Sequence, residues 1–232
     1  MQRIVFLTGA GMSAESGVST FRDSDGLWEN YSVEEVCTHD AWLRQPAVLL
    51  EFYNMLRRKY KDCKPNEGHR LVASLQDRYD VQVITQNVDN LHEQAGSRNV
   101  LHLHGEMMKC RADGRDTGVH YPLDPECPEI HLGDTDANGV QLRPHIVFFG
   151  EDVPNLTKAA ELMSTADIVV VIGTSLNVYP AAGLLQYAPR HAPVWLIDPK
   201  PVMSPYREVT QIQKGASEGM KQLVEIIDCR KP

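Results

Sequence analysis

Residues 3–28, RIVFLTGAGMSAESGVSTFRDSDGLW, decide the fold. The apolar run Ile4–Leu7 reads as a strand that stops at Thr8. Gly9, Ala10 and Gly11 follow, then Ser13 and a helix-compatible stretch to Gly17. A strand that turns tightly and opens a helix presents free N–H groups and the positive end of a dipole, which favours a phosphate. Glycine suits such a turn because a Cβ would hold the backbone away from a pyrophosphate. Gly9-x-Gly11-x-x-Ala14 also fits the dinucleotide fingerprint in its alanine form. Alone, the turn fits an ordinary nicotinamide-dependent dehydrogenase or simply a tight strand–helix connection. A dehydrogenase should carry an acidic residue about 20 positions on, at the end of a second strand. Asp23, Asp25 and Glu29 lie near that distance, but in FRDSDGLWEN, which does not read as a strand.

Short apolar runs then alternate with helical patterns. Strand candidates are Ile4–Leu7, Val81–Thr85, Val100–Leu103, His145–Phe149, Ile168–Ile172 and Val194–Ile197. Helix candidates are Ser13–Gly17, Ala47–Tyr60, Gly68–Asp77, Val88–Ala95, Leu156–Ser164, Ala181–Ala188 and Glu218–Ile227. The alternation implies an α/β fold, a Rossmann-like parallel sheet with helices on both faces. Residues 108–142 are rich in Gly, Pro and Asp without a clear period, and read as a small irregular insertion.

Hydrophobic residues make up 42% of the 232 residues, enough for a proper core. The formal net charge of -8 argues against a nucleic-acid partner and suits a basic ligand such as a lysine-bearing peptide. No apolar run approaches the roughly 20 residues of a membrane span. MQRIVFLTG leads straight into the first strand, so no signal peptide is expected. Cys37, Cys63, Cys110, Cys127 and Cys229 are odd in number and scattered, which suits a reducing cytoplasm.

Four further blocks carry chemistry. Gln86, Asn87 and Asp89 follow the apolar VQVI, where open α/β sheets place ligand groups. They can bond hydroxyls, a carboxamide or a water, or Asn87 or Asp89 can simply cap a helix. In His102-Leu103-His104-Gly105-Glu106 the two imidazoles share a strand face, and either can serve as a general base, a core group or a metal ligand. Gly173-Thr174-Ser175 ends the run Ile168–Ile172 and suits phosphate or ribose contacts. Asp198 ends VWLID and can accept from ribose hydroxyls or form a turn.

Together, GAGMSAESGVSTFRDSDGLW, TQNVDNLHEQAG, LHGE, LRPHIVFFGE and GTSLNVYPAAGL resemble, in order and spacing, the sirtuins, NAD-dependent protein-lysine deacylases. The resemblance implies a Rossmann-type NAD-binding domain over 1–31, 69–106 and 143–232, and a small module over 32–68 and 107–142, with NAD in the cleft between them. It implies that Gly9, Ala10, Gly11, Ser13, Glu15, Phe21 and Arg22 surround the pyrophosphate and nicotinamide ribose. Gln86, Asn87 and Asp89 would hold the nicotinamide and its ribose. Gly173, Thr174, Ser175, Asp198 and Ala216 would line the adenosine half; the family often has Asn where this chain has Asp198. The acyl-lysine oxygen would attack C1′ of NAD, releasing nicotinamide and forming an alkylimidate. His104 would act as general base on the ribose hydroxyls, with Asn87 orienting ribose and water, and His102 structural. The products would be free lysine and 2′-O-acyl-ADP-ribose. Val147, Phe148 and Phe149 would wall the acyl-lysine tunnel, and Gly150 and Glu151 would offer backbone to the peptide.

The chain departs from that pattern twice. Sirtuins commonly hold zinc with two C-x-x-C pairs, but only Cys110 and Cys127 stand in this segment, unpaired. His120 and His131 could complete a Cys₂His₂ set, yet the spacing is unlike a ribbon, and a zinc-free module is expected. Sirtuins that remove succinyl or malonyl groups carry Tyr and, three residues on, Arg. Here Tyr53 is followed by Leu56, and Arg57 lies about 100° further round a helix, either reaching the pocket or solvated. Deacetylation and removal of acidic acyl groups both remain open on these residues. The rival readings are mono-ADP-ribosyl transfer and, further off, a dehydrogenase. The partners expected are acyl-lysine proteins or peptides, without nucleic acid or membrane.

Overall fold

The structure is a computed structural model that describes residues 1–19 and 31–229. In chain order the strands are β1 (Arg3–Thr8), β2 (Asp80–Thr85), β3 (Val100–His102), β4 (Gly105–Ala112), β5 (Tyr121–Pro122), β6 (Leu142–Ile146), β7 (Ile168–Ile172), β8 (Val194–Ile197) and β9 (Thr210–Ile212). The α-helices are α1 (Val33–Val36), α2 (His39–Arg44), α3 (Pro46–Tyr60), α4 (Glu67–Ser74), α5 (Leu91–Gln94), α6 (Leu156–Ser164) and α7 (Ala216–Cys229). Among the described residues no helix is long and apolar enough to cross a membrane.

The chain forms two compact units. The larger comprises Met1–Thr20, Cys63–Leu103 and Asn155–Pro232. It holds a parallel sheet in the order β3-β2-β1-β7-β8-β9. Strands β1, β7 and β8 are buried on both faces, so they carry near-continuous apolar runs rather than alternating ones. On one face Ile4, Phe6, Val83, Val170, Ile172 and Ile197 pack with Val72 of α4 and Met220 and Leu223 of α7. Burying each such side chain contributes about 1.5–3 kcal/mol. Asn66 starts α4 by accepting from the His69 N–H while its own N–H donates to His69 Nδ1.

The smaller unit comprises Phe21–Asp62 and His104–Pro154. Its sheet is antiparallel, in the order β5-β4-β6. Gly105 has φ +85, and a Cβ there would lie 2.0 Å from the His145 carbonyl, so only glycine fits where β4 meets β6. Helix α3 begins at a proline in its first turn and buries Leu49, Phe52, Tyr53 and Leu56 at helical spacing. Arg143 is fully buried, bonds Glu151 at 2.6 Å, and stacks over the Phe148 ring at 4.0 Å.

Of the strand expected over His145–Phe149 in the parallel sheet, only His145 and Ile146 are in a strand, at the end of β6 in the small sheet, and residues 143–154 group with the small unit. Residues 63–68 group with the larger unit, where Asn66 Nδ2 donates to the Met12 carbonyl at 2.8 Å. The helix expected after the glycine turn is two short 3₁₀ turns, Ala10–Met12 and Ala14–Ser16. Ala181–Tyr187 is also 3₁₀. Sequence reading missed β9, whose run of three residues includes only one that is buried.

Candidate functional site

Strand register places the motif residues of the larger unit. Thr8 lies opposite both Thr85 and Ile172, and Ile172 lies opposite Ile197. Gly9, Gln86, Gly173 and Asp198 are therefore each the first residue beyond a level row of strand ends. The chain builds outward from β1 to β3, then restarts at β7 on the other side of β1. The β1/β7 boundary is thus the topological switch point, where open α/β sheets bind ligands.

At that boundary two glycine turns interlock. The Gly11 N–H donates to the Gly173 carbonyl at 2.9 Å, and the Gly9 N–H to the Ile172 carbonyl at 2.9 Å. A Cβ on Gly11 would meet Gly173 Cα at 2.7 Å, and one on Gly173, at φ +63, would meet the Met12 nitrogen at 2.3 Å. The glycines are required by this loop-on-loop contact, a constraint separate from the one expected from a pyrophosphate.

Ser13, fully buried, donates through Oγ to Asp89 Oδ2 at 2.8 Å and accepts from Asn87 Nδ2 at 3.0 Å. Asp89 Oδ1 accepts from the Leu91 N–H at 3.1 Å, so one side chain both caps the turn before α5 and bonds Ser13. Surrounding protein pushes the Asp89 carboxyl above the usual carboxylate range, against the hydrogen bonds from Leu91 and Ser13. Gln86 Nε2 donates to Thr174 Oγ1 at 3.3 Å. Glu15 accepts from the Ser217 N–H at 3.1 Å, bringing the glycine turn to the start of α7 beside Ala216. Asp198, mostly buried, accepts from the Lys200 N–H at 2.9 Å and so shapes the turn after β8. Ala10 lies in the first 3₁₀ turn, and Ser175 follows Thr174 half-buried. Phe21 and Arg22 lie outside the described residues.

Several supports were not singled out from sequence. Thr8 Oγ1 donates to Thr85 Oγ1 at 2.9 Å, which accepts from the Asn87 N–H at 3.0 Å. His92 Nε2 lies 3.2 Å from Thr8 Oγ1, and its ring meets that of buried His69 edge-on at 4.8 Å. Burial pushes His69 down to about 4 and His92 well below the usual imidazole range. Only the NEGH and NLHEQ patterns around them could have signalled this pair. His102 faces the Asn87 carbonyl with Nδ1 at 2.9 Å and Glu93 Oε1 with Nε2 at 2.8 Å. Both its nitrogens are thus engaged by protein groups.

The smaller unit carries the other expected residues. His104 stands between β3 and β4, half-buried, and its carbonyl accepts from the Val147 N–H at 3.0 Å. Phe148 does not line a surface: it is buried against Tyr53, Trp42 and Arg143. Phe149 is exposed, but its backbone is already paired on both sides, donating to the Cys37 carbonyl at 2.8 Å and accepting from His39 at 3.0 Å. Glu151 does not offer its N–H to a peptide, because that group bonds the Phe148 carbonyl at 3.0 Å. Its carboxylate accepts from Arg143 and His39, and though burial alone would raise it, Arg143 holds it below the usual range. Gly150, at φ +92, is exposed.

Tyr53 is buried, its hydroxyl 4.0 Å from Cys37 Sγ. Arg57 is not solvated. It is 1% exposed and donates to the Met107 carbonyl and Asn54 Oδ1, each at 2.8 Å, clamping α3 to β4. Burial lowers its guanidinium to about 10, so it stays charged at neutral pH. Cys110, His120, Cys127 and His131 do not converge: Cys110 is buried in β4 opposite Tyr121, Cys127 is exposed, and His131 pairs with Glu129 at 3.3 Å.

The Sir2 family model matches residues 9–180, and the chain belongs to that family. It is 53% identical over 230 residues to an NAD-dependent protein deacylase of Bacteroides thetaiotaomicron, covering 98% of each chain. Among solved structures it resembles a Sir2 homologue–NAD complex at 36% identity and TM-score 0.86, covering 98% of this chain and 90% of that one. It also resembles a mutant Sir2 homologue complexed with 2′-O-acetyl ADP ribose, at 35% identity and TM-score 0.85, covering 98% and 92%.

Proposed function

We infer that this chain is an NAD-dependent protein-lysine deacylase. The observation that carries the reading is the joining of Ser13, Asn87 and Asp89, from the loops after β1 and β2, next to the β1/β7 switch point. The interlocked glycines bring the turns after β1 and β7 into contact at that switch point, where open α/β sheets bind dinucleotides. NAD, as co-substrate, supplies an electrophilic ribose carbon with nicotinamide as leaving group.

The residues of this chain bind and orient. Gly9, Ala10, Gly11, Ser13 and Glu15 lie along the phosphate-side turn. Gln86, Asn87 and Asp89 present amide and carboxylate oxygens to a carboxamide and ribose hydroxyls. Gly173, Thr174, Ser175, Asp198 and Ala216 serve the adenosine half. His104 takes the proton from a ribose hydroxyl as general base, a role suited to an imidazole near neutral pH. Val147, Phe149 and Gly150 are the parts of the LRPHIVFFGE segment left to meet the acyl-lysine peptide.

For the acyl group, we propose a preference for neutral chains. Arg57 is committed to Met107 and Asn54 inside the small unit, and Leu56 stands where an anion-binding arginine would follow Tyr53. The net charge of -8 supports basic protein substrates rather than nucleic acid or an anionic membrane surface. Five free cysteines support a cytoplasmic setting. The test is incubation with NAD and a panel of acyl-lysine peptides, read by mass. Deacylation predicts nicotinamide release that requires the acylated lysine, together with acyl-ADP-ribose. ADP-ribose retained on protein would favour the transferase instead.

A further inference from the structure

Asn87 is held at three points. Its Nδ2 donates to Ser13 Oγ at 3.0 Å, its carbonyl faces His102 Nδ1 at 2.9 Å, and its N–H donates to Thr85 Oγ1 at 3.0 Å. The third point does not end at Thr85. Thr85 Oγ1 accepts from Thr8 Oγ1 at 2.9 Å, and Thr8 Oγ1 lies 3.2 Å from His92 Nε2. Thr8 and Thr85 are fully buried and His92 is 2% exposed, so bulk solvent does not compete for these bonds. We propose that His92 is a positioning residue for the deacylase site, fixing the Asn87 backbone through Thr8 and Thr85. For its effect on turnover this role rests on the deacylase reading; the contacts themselves do not.

Proton counting sets the direction of the bonds. A hydroxyl carries one proton. Thr8 gives its proton to Thr85, so towards His92 its oxygen accepts and His92 Nε2 donates. His92 Nδ1 is buried without a hydrogen-bond partner among the described residues, and a second proton there would be a buried donor left unpaired. Burial, then His69 and His102, push His92 well below the usual imidazole range, so the ring is neutral. A neutral ring protonated at Nε2 can only donate to Thr8. It thereby leaves the Thr8 proton to Thr85. An apolar side chain at position 92 would leave the Thr8 hydroxyl free to turn, and with it the oxygen that receives the Asn87 N–H.

The local structure holds the ring in place. Asp89 Oδ1 accepts from the Leu91 N–H, which starts α5, and His92 is the second residue of that helix. The His92 carbonyl accepts from the Ser97 N–H at 3.0 Å, closing the turn behind it. The chain thus leaves β2 at Thr85, passes Asn87 and folds back until His92 meets Thr8, the residue opposite Thr85 at the end of β1. His69 braces the ring without replacing it. The two rings meet edge-on at 4.8 Å, but His69 Nδ1 is taken by the Asn66 N–H. A misplacement of about 1 Å at a reacting centre costs about a hundredfold in rate. Loosening one of the three holds on Asn87 moves it less than that.

The test uses the full chain. His92→Phe keeps an aromatic ring and removes the donor, His92→Gln restores an amide N–H at similar reach, and Thr8→Val removes the hydroxyl at unchanged shape. With NAD and acetyl-lysine peptide, His92→Phe and Thr8→Val should each lower kcat about tenfold while KM for NAD moves less than about threefold. The double variant should lose no more than either alone, because both act in one chain of bonds. His92→Gln should recover most of kcat. In ¹⁵N-labelled chain the Asn87 amide should exchange at least about tenfold faster in His92→Phe, a readout that needs no activity. Thr8→Val carries the same predictions if the larger ring does not fold. An unaltered chain without turnover would count against the deacylase reading, and amide exchange then decides the role of His92. Unchanged Asn87 exchange overturns the proposal. So does a lowered Tm with kcat intact, losses that multiply in the double variant, or a loss in His92→Gln as large as in His92→Phe.

Discussion

Ser13 and Asp89, 76 residues apart in sequence, are joined by a 2.8 Å hydrogen bond. Because the same serine oxygen accepts from Asn87, the loop after β1 fixes both polar groups of the loop after β2. Two strand ends thereby act as one rigid site, which is what orientation of a reacting nucleotide requires.

Ser13→Ala should loosen that site. Asp89 loses a donor and Asn87 an acceptor, at a cost of about 1–3 kcal/mol in a setting with little water. We expect kcat/KM for NAD to fall at least about tenfold and Tm to drop by a few degrees. Unchanged kinetics with lowered stability would make Ser13 only a packing residue.

The glycine contact predicts a contrast. Gly173→Ala places a Cβ 2.3 Å from the Met12 nitrogen at φ +63, whereas Gly118→Ala, at φ +78, meets nothing within 4 Å. Gly118→Ala should cost only about 1 kcal/mol of backbone strain. Gly173→Ala should cost several times more, read as urea midpoints. Equal costs would mean that the two loops are not packed as described.

Stability should fall on mild acidification. His69, buried, has its folded value near 4 against an ordinary 6.5. In that window the unfolded chain binds more protons, so the contribution is fully present above 6.5 and declines as pH falls towards 4. His92 and His145 act in the same direction. Glu151 and Asp116, lowered, keep their charge until more acid pH. Urea melts from about pH 7.5 to about pH 5 should show a slope up to about 1.4 kcal/mol per unit per proton. A flat profile would contradict the buried neutral imidazoles.

Glu151→Gln should be far worse than Glu51→Gln. The first takes the 2.6 Å charge partner from fully buried Arg143 and leaves it only Asp113, 3.9 Å away, a loss of up to about 3–5 kcal/mol. The second disturbs an exposed pair with Arg58, worth less than about 1 kcal/mol. Thermal melts of the two variants, side by side, decide it.

The sheet was legible because buried parallel strands carry unbroken apolar runs, as in Ile168–Ile172. Leu156–Ser164 came out with the same bounds because its apolar spacing is helical. What sequence could not show were contacts made only by folding. Phe148 read as a tunnel wall, yet the Arg143–Glu151 pair buries it. Arg57 read as a pocket or surface residue, yet the Met107 carbonyl draws it inward. The 3₁₀ turns after Gly9 escaped notice because no residue pattern separates them from a helix start, while Gly173, just past β7 and far off in sequence, sets their path.

The acyl preference has its own readout. Acetyl-lysine peptide should exceed succinyl-lysine peptide in kcat/KM, and Leu56→Arg should narrow the gap. A succinyl preference in the unaltered chain would overturn the role given to Arg57.

The most direct measurement is product formation by the His104→Ala variant beside the unaltered chain, with NAD and acetyl-lysine peptide followed by mass. The unaltered chain should release nicotinamide and form acetyl-ADP-ribose only when the acetylated lysine is present. The variant should lose product by more than about a hundredfold while still binding NAD by calorimetry. Undiminished turnover in the variant, or nicotinamide release without any acylated lysine, would contradict the account.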